Sequence, residues 1–265
     1  MNIGKQISIL RKKYNLSQVE LANKLDISYQ AVSKWETGTA YPDISLLPKL
    51  SHIFNVSIDY ILDNNTIEKG NRYSKKYQDD NYYWGLEPNH MCYEVMKFRP
   101  PTRPLKVLEM GCGEGRDALF FARNGYDVTA FDLAESGIEK TKKLADANNV
   151  FINAFVANIN EFVPQDNYDI VYSSGVLDSI SENVRGDLIN NLINHTSNCG
   201  IHAIQLFVEK PFLEKKPAQK WESGELFSFY TDHEILYCDE YIFNCNSGGK
   251  PHRHCSNKMI AKIIK

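Results

Sequence analysis

The chain has 265 residues, of which 43% are apolar and 24% charged, with a formal net charge of -3 at pH 7. This is the composition of an ordinary globular protein with room for one large domain or two smaller ones. It excludes a disordered or fibrous chain and gives no chain-wide pull toward nucleic acid. No apolar run approaches membrane-spanning length, the first residues lack a signal-peptide core, and the six cysteines form no Cys-x-x-Cys pair. A reducing cytoplasm is therefore the expected compartment, with no membrane partner.

In chain order, Ile3, Ile7, Leu10 and Tyr14 recur at helical spacing and predict a first helix. Ser17-Gln-Val-Glu20 is a capping-box signature for a second, with Leu21, Ala22 and Leu25 facing inward. Ser28 opens a third helix. Ala31, Val32 and Trp35 would face inward, Tyr29, Gln30, Ser33 and Lys34 outward, and Gly38 ends it. Asp43 caps a fourth, built on Leu46, Leu47, Leu50 and Ile53, and Ser57 caps a fifth that ends near Leu62. Two short helices around a tight turn between Leu25 and Ser28 form a helix-turn-helix.

The run Leu16-Ser-Gln-x-Glu-Leu-Ala22, then Ser28-x-x-x-Val-Ser-Lys-Trp-Glu-x-Gly38, Pro42-Asp43 and Val56-Ser-Ile-Asp-Tyr-Ile-Leu62 resembles the phage-repressor-like (Xre/Cro-type) DNA-binding domains. The resemblance implies that the helix from Ser28 to Glu36 enters the major groove of double-stranded DNA, where Gln30 reads a base edge. Ser28, Tyr29, Ser33 and Lys34 are the other contacts it implies, with Gln18 on phosphate. Residues 1–62 carry seven Lys and Arg against five Asp and Glu. So weak an excess calls for a dimer on a palindromic operator. A helical bundle kept for protein binding or dimerisation is the alternative.

Residues 63–72 are polar and aperiodic and read as a linker, leaving 73–265 as a second domain. Tyr77, Tyr82, Tyr83 and Trp84 then cluster just before Gly85. They suit either a lid over a cofactor, with Trp84 against the ligand, or the packing of a leading helix.

The most informative stretch is Val107-Leu-Glu-Met-Gly-Cys-Gly-Glu-Gly115, followed by an apolar run from Asp127 to Phe131 that ends in Asp132. It predicts a strand, a glycine turn at Gly111, Gly113 and Gly115, a helix over 116–124 and a second strand with an acid at its tip. Glycine lets the turn bend sharply and come close to a ligand. The helix N-terminus favours an anionic group, and Asp132 can accept both hydroxyls of a ribose. A dinucleotide fingerprint needs a sixth-position glycine, and Arg116 stands there instead. With Glu109 ahead of the turn, suited to the cofactor's ammonium end, the cofactor expected is S-adenosyl-L-methionine.

Further strands are predicted at 152–157, 169–173 and 201–207, separated by helical stretches, with a closing hairpin from 234–243 and 258–264. The alternation implies a doubly wound α/β sheet. Residues just after strand ends are then candidate cofactor-binding groups: Leu133 after Asp132, Asn158 and Ile159 toward the adenine, and Ser174 toward the methyl group. Cys112 and Asp117, on the turn and its helix, are further cofactor-binding candidates. Asp178 is either a helix cap or a polar group near substrate. Cys238, Cys245, His252, His254 and Cys255 match no common zinc module, so no metal is expected.

The segment Gly-Cys-Gly-x-Gly-Arg-Asp-x-x-x-x-x-Ala-x-x-Gly-Tyr-Asp-Val-x-Ala-x-Asp (111–132), Gly224-Glu-Leu226 through Tyr230, and Pro251-His-Arg-His254 resemble class I methyltransferases, and among them the tellurite-resistance group. The resemblance implies a Rossmann-like fold and methylation of a small molecule or a metalloid oxyanion. It also implies that His252, Arg253 and His254 line the substrate pocket; a solvated loop before the last strand is the alternative for these three. Asn158 stands where such enzymes often carry Asp, and Asp178 where many carry His or an apolar residue. The whole chain then reads as an all-α helix-turn-helix domain followed by a class I methyltransferase domain. The competing function is a transcriptional regulator whose large domain only senses the cofactor or a toxic ligand. A DNA methylase is disfavoured, because Ser173-Ser-Gly-Val176 replaces the Pro-Pro-aromatic element and no Pro-Cys dipeptide is present.

Overall fold

The computed structural model describes residues 3–14, 16–54, 56, 58–62, 73–213, 219–246 and 251–265. The chain divides into two compact units, 1–72 and 73–265. The linker expected at 63–72 and the cap expected at Ser57 lie outside the described residues.

In the first unit α1 (Ile3–Lys13), α2 (Gln18–Leu25), α3 (Tyr29–Glu36), a 3-10 turn (Ile44–Leu46), α4 (Leu47–Phe54) and α5 (Ile58–Ile61) enclose one core. Ile7, Leu21, Val32, Leu50 and Phe54 are fully buried in it. The capping box is present in both directions: Ser17 Oγ accepts from Glu20 N at 3.1 Å, and Ser17 N donates to Glu20 Oε2 at 2.6 Å. Asp26 ends α2 in the left-handed conformation (φ 58°), which an Asx side chain tolerates better than most. Gly4 lets α1 lie directly on α3, since a Cβ there would fall 1.6 Å from the Trp35 carbonyl oxygen. The fourth helix starts later than expected. Asp43 caps the 3-10 turn instead, and Phe54 joins the core with the partly buried Ile53 packed against it. Tyr14 is largely exposed, with its hydroxyl donating to the Phe54 carbonyl at 2.5 Å.

The second unit is a seven-stranded sheet in the order β3-β2-β1-β4-β5-β7-β6. Its strands are β1 (Lys106–Met110), β2 (Asp127–Asp132), β3 (Ile152–Val156), β4 (Tyr168–Ser174), β5 (Thr196–Val208), β6 (Glu234–Cys245) and β7 (His252–Lys262). The first five are parallel, and β7 runs antiparallel between β5 and β6. Side chains alternate along β1: Val107 enters one core, with Met91, Phe121 and Ile138, and Leu108 enters the other, with Ile189 and Trp221. Both faces are thus covered, as a parallel sheet requires. The helices that position the site are α6 (His90–Phe98), α7 (Arg116–Arg123), α8 (Glu135–Ala147), α9 (Glu182–Asn194) and the single turn α10 (Glu225–Ser228).

The last hairpin is longer than its hydrophobic pattern suggests. His252, Arg253 and His254 are not in a loop but open β7, where they pair with Cys245, Asn244 and Phe243 of β6. Backbone pairing carries the strand through a polar stretch that hydropathy alone reads as a connection.

Candidate functional site

Strand order reverses between β1 and β4, and a crevice at the carboxyl ends is the expected ligand position in such a sheet. The glycine turn lies there. Gly111, Gly113 and Gly115 all have positive φ (71°, 57° and 86°), so the residue type is required by the backbone itself. The tip of β2 pins the turn: Gly111 N and Cys112 N both donate to the Phe131 carbonyl, and Gly113 N donates to Asp132 Oδ2 at 2.9 Å. A Cβ on Gly115 would sit 2.7 Å from Thr141 of α8, so turn and helix pack without side chains between them.

Asp132 is half-buried and accepts from Ala134 N through Oδ1 at 2.8 Å as well as from Gly113 N. The carboxylate keeps acceptor capacity for a further donor. Burial raises its pKa, against the lowering effect of the Ala134, Gly113 and Leu133 amides. Glu109 lies behind the turn and is only 4% exposed. Its Oε2 has no hydrogen-bond partner among the described residues. Burial first, and then the charge of Asp117, push its carboxyl well above the ordinary range. A buried acid with an unused oxygen, near glycines and a second, half-buried acid with acceptor capacity, suits a ligand that carries positive charge and a ribose. The residues present therefore fit a sulfonium nucleoside.

Asp117 serves the scaffold. Its carboxylate accepts from Asn89 N at 2.9 Å, Tyr172 Oη at 2.9 Å and Arg116 Nε at 2.8 Å, joining α6, α7 and β4. Cys112 is buried and burial holds its thiol protonated, so its contribution to the turn is backbone. Ser174 Oγ accepts from Asn89 Nδ2 at 2.9 Å, and the same amide donates to Gln205. Leu133 is half-buried beside Asp132. At the β3 end, Asn158 Oδ1 accepts from Asn160 N at 3.1 Å in a turn of its own. Ile159 is buried in a core cluster with Phe131. Asp178 is 3% exposed and does not cap the one-turn helix that contains it, which corrects the capping alternative.

The aromatic segment covers the turn. Tyr77 is 5% exposed, and its hydroxyl lies 2.9 Å from where a Cβ on Gly113 would be. Trp84, 43% exposed, donates from Nε1 to that hydroxyl at 3.2 Å. Glu114 Oε2 accepts from Tyr83 N at 2.7 Å, and Lys140 Nζ bridges Glu114 Oε1 and the Asn81 carbonyl. Glu114, Lys140 and Asn89 went unread in the sequence, and Tyr77 was read only as one of an aromatic cluster. Their partners are remote in the chain, and only the cluster of tyrosines gave a signal.

At the far side of the same edge, β7 begins beside the end of β5, with Val208 paired to Cys255. His254 stacks on Phe207 (centroids 4.5 Å, 17°), and the Phe207 ring also lies 3.9 Å from a Cβ built on Gly175, just after β4. His252 Nε2 and His254 Nε2 are 2.9 Å apart. Strand alternation sends Arg253, which is exposed, to the opposite face, so the expected trio is a pair. The Gly224–Tyr230 motif is structural: Arg185 pairs with Glu225 at 2.5 Å over the Trp221 ring, and Tyr230 Oη meets His202 Nδ1 at 2.8 Å.

In the first unit, α3 presents Tyr29 (52% exposed), Gln30 and Lys34 to solvent, with Ser33 half-buried. Ser28 is occupied as the N-cap, accepting from Ala31 N at 3.3 Å. Gln18 Nε2 donates to Glu36 Oε2 at 2.9 Å, so that part of its amide is spent within the fold. No helix among the described residues is long and apolar enough to cross a membrane.

Comparison with known proteins agrees with this arrangement. The family described as "Tellurite resistance protein TehB" matches residues 67–253, and a helix-turn-helix family matches residues 7–61. A probable S-adenosyl-L-methionine-dependent methyltransferase TehB of Haemophilus influenzae is 30% identical over 142 residues, 52% of this chain and 49% of that protein. A ubiquinone biosynthesis O-methyltransferase of Rickettsia akari is 36% identical over 100 residues, covering 38% and 39%. The chain thus spans about half the length, or less, of these curated relatives. Among solved structures, TehB from Haemophilus influenzae superimposes with a TM-score of 0.61 at 25% identity, over 73% of this chain and 66% of that one. The 1,6-didemethyltoxoflavin-N1-methyltransferase of Burkholderia thailandensis shares the fold (TM-score 0.56, 17% identity, 77% and 89% covered). With a helix-turn-helix unit ahead of a methyltransferase-like sheet, the chain belongs to the TehB tellurite resistance family.

Proposed function

We propose that the second unit is an S-adenosyl-L-methionine-dependent methyltransferase acting on a small molecule or a metalloid oxyanion of the tellurite kind. In this reading residues 1–62 are a DNA-binding regulatory domain, 63–72 a linker and 73–265 the catalytic domain. The observation that carries it is the buried Glu109 oxygen without a partner among the described residues, on the strand that leads into the glycine turn. Similarity to a probable S-adenosyl-L-methionine-dependent methyltransferase, and to a methyltransferase with bound S-adenosylhomocysteine, supports the same donor.

Bound there, the donor supplies a methyl group on a sulfonium that already carries its leaving group. The protein's part is alignment and exclusion of water. Asp132 accepts from the sugar hydroxyls through its spare lone pairs, and Glu109 balances the positive end. Leu133, Asn158 and Ser174 bound the crevice, and the Tyr77–Trp84 segment shuts water from above Gly113. His252 and His254 take a proton from the acceptor or hold its oxygens. In the first unit, Gln30 reads a base and Tyr29 and Lys34 hold backbone, within a dimer on a two-fold site.

Release of S-adenosylhomocysteine in the presence of tellurite, selenite, arsenite and simple thiols tests the reading. Turnover with one of these that is lost in Asp132→Ala supports it. Donor binding without release on any acceptor would leave the sensing role, and absence of donor binding would sink both. For the first unit, Gln30→Ala should relax preference at one base position, whereas Lys34→Ala should weaken all sequences alike.

A further inference from the structure

Three possible metal ligands converge where β6 meets β7. Cys245 Sγ and ring nitrogens of His252 and His254 all lie within 4.8 Å of one another. Register explains the cluster: Cys245 is directly opposite His252, and His254 follows two residues on, so all three side chains share one face. Cys238 is exposed elsewhere on β6, and alternation turns Cys255 to the other face. Position on the sheet matters as well. The cluster occupies the ligand edge, and the His254 ring is fixed between Phe207 and Phe243.

We propose that Cys245, His252 and His254 bind a borderline-soft divalent cation, Zn2+ foremost, with a fourth position left to water or to an acceptor atom. One thiolate with two imidazoles suits zinc, and three protein ligands are the pattern of a reactive rather than a closed structural site. Tetrahedral bonds to zinc set two nitrogens about 3.4 Å apart and sulfur about 3.6 Å from nitrogen. The imidazoles, 2.9 Å apart, need to open by roughly half an ångström, and the thiol closes by about 1 Å at most. Side-chain rotation is enough for both. Binding moves the proton shared between the two Nε2 atoms to Nδ1 of the ring that carried it and displaces the proton of the thiol, so metal uptake releases one proton. The site rests on the hairpin register and does not require methyl transfer; with a metal held, His252 and His254 act on the acceptor through it and not as proton acceptors.

Titrating the full chain with Co2+ under reducing conditions tests the site, with Zn2+ as competitor. One cobalt per chain should give visible bands of tetrahedral intensity and a thiolate-to-metal charge-transfer band in the near ultraviolet. Cys245→Ser should remove the charge-transfer band. His252→Ala and His254→Ala should each weaken binding tenfold or more, and Cys238→Ser should leave binding intact. Far-ultraviolet dichroism of each variant checks folding. A charge-transfer band that survives Cys245→Ser, cobalt uptake without such a band, or no uptake would overturn the assignment. Donor affinity, measured on the same samples, separates failure of the metal site from failure of the methyltransferase reading.

Discussion

The sharpest test of the covered glycine turn is the pair Gly113→Ala and Tyr77→Phe. At Gly113, φ is 57°, so alanine carries a left-handed strain of roughly 1–2 kcal/mol. Its Cβ also arrives 2.9 Å from the Tyr77 hydroxyl. That ring cannot swing away freely, because it is buried, stacked on Tyr73 (5.7 Å, 15°) and bonded by Trp84. Overpacking adds roughly 1–3 kcal/mol. Tyr77→Phe alone loses the Trp84 hydrogen bond, worth about 1 kcal/mol. In the double variant the clash is gone and only the strain and the lost bond remain. The two substitutions should therefore couple favourably by about 1–2 kcal/mol, seen by calorimetry as a melting temperature for the second unit roughly 3–6 °C above the additive value. Losses that add to within about 0.5 kcal/mol would refute the contact and, with it, the role of the aromatic segment as a cover.

Three further outcomes follow from the same geometry. Glu109→Gln should lower donor affinity by roughly 10- to 100-fold, the worth of a charge-assisted bond, without unfolding the protein. A raised carboxyl pKa that a cation pulls down makes donor binding release a proton, so affinity should climb with pH in the wild type and lose that slope in the variant, as calorimetric titration at several pH values would reveal. His202 is buried between Thr196 and Tyr230, and burial lowers its pKa to about 3. The unfolded chain binds the extra proton, so stability is complete above the ordinary histidine range and falls as pH drops through it toward 3. Between pH 7 and pH 5 the second unit should lose about 2 kcal/mol from this group, and denaturant titration of His202→Gln should show that increment missing. Glu36 accepts from Arg11 Nε at 2.6 Å, Arg11 Nη2, Gln18 and Ser8, so Glu36→Ala strands several donors. It should cost the first unit about 2–3 kcal/mol, lowering its calorimetric transition by roughly 10 °C while the second unit melts unchanged.

What could be read in advance followed locality. The capping box at Ser17, the three glycines and the acid at the end of β2 are signals within a few residues of one another, and each turned up where expected. The features that escaped depend on partners remote in sequence. Asp117 is legible as a residue of the turn's helix, but its bonds to Tyr172 and Asn89 are not. Ile159 is legible as following a strand, but its packing with Phe131 is not. Arg253 and its flanking histidines form one motif in the sequence and two faces in the sheet, because period two separates neighbours that a loop would keep together. The convergence of Cys245 with His252 and His254 needed the hairpin register, which hydropathy does not encode.

Because β7 runs against the parallel strands, it carries the chain away from the carboxyl edge and delivers Lys265 to the opposite rim, where its amide meets Asn198 and its ammonium the Asn194 carbonyl. Anything joined beyond Lys265, whether a purification handle or a surface tether, departs from the back of the sheet. Immobilisation through that end should therefore leave the mouth of the crevice open to solutes.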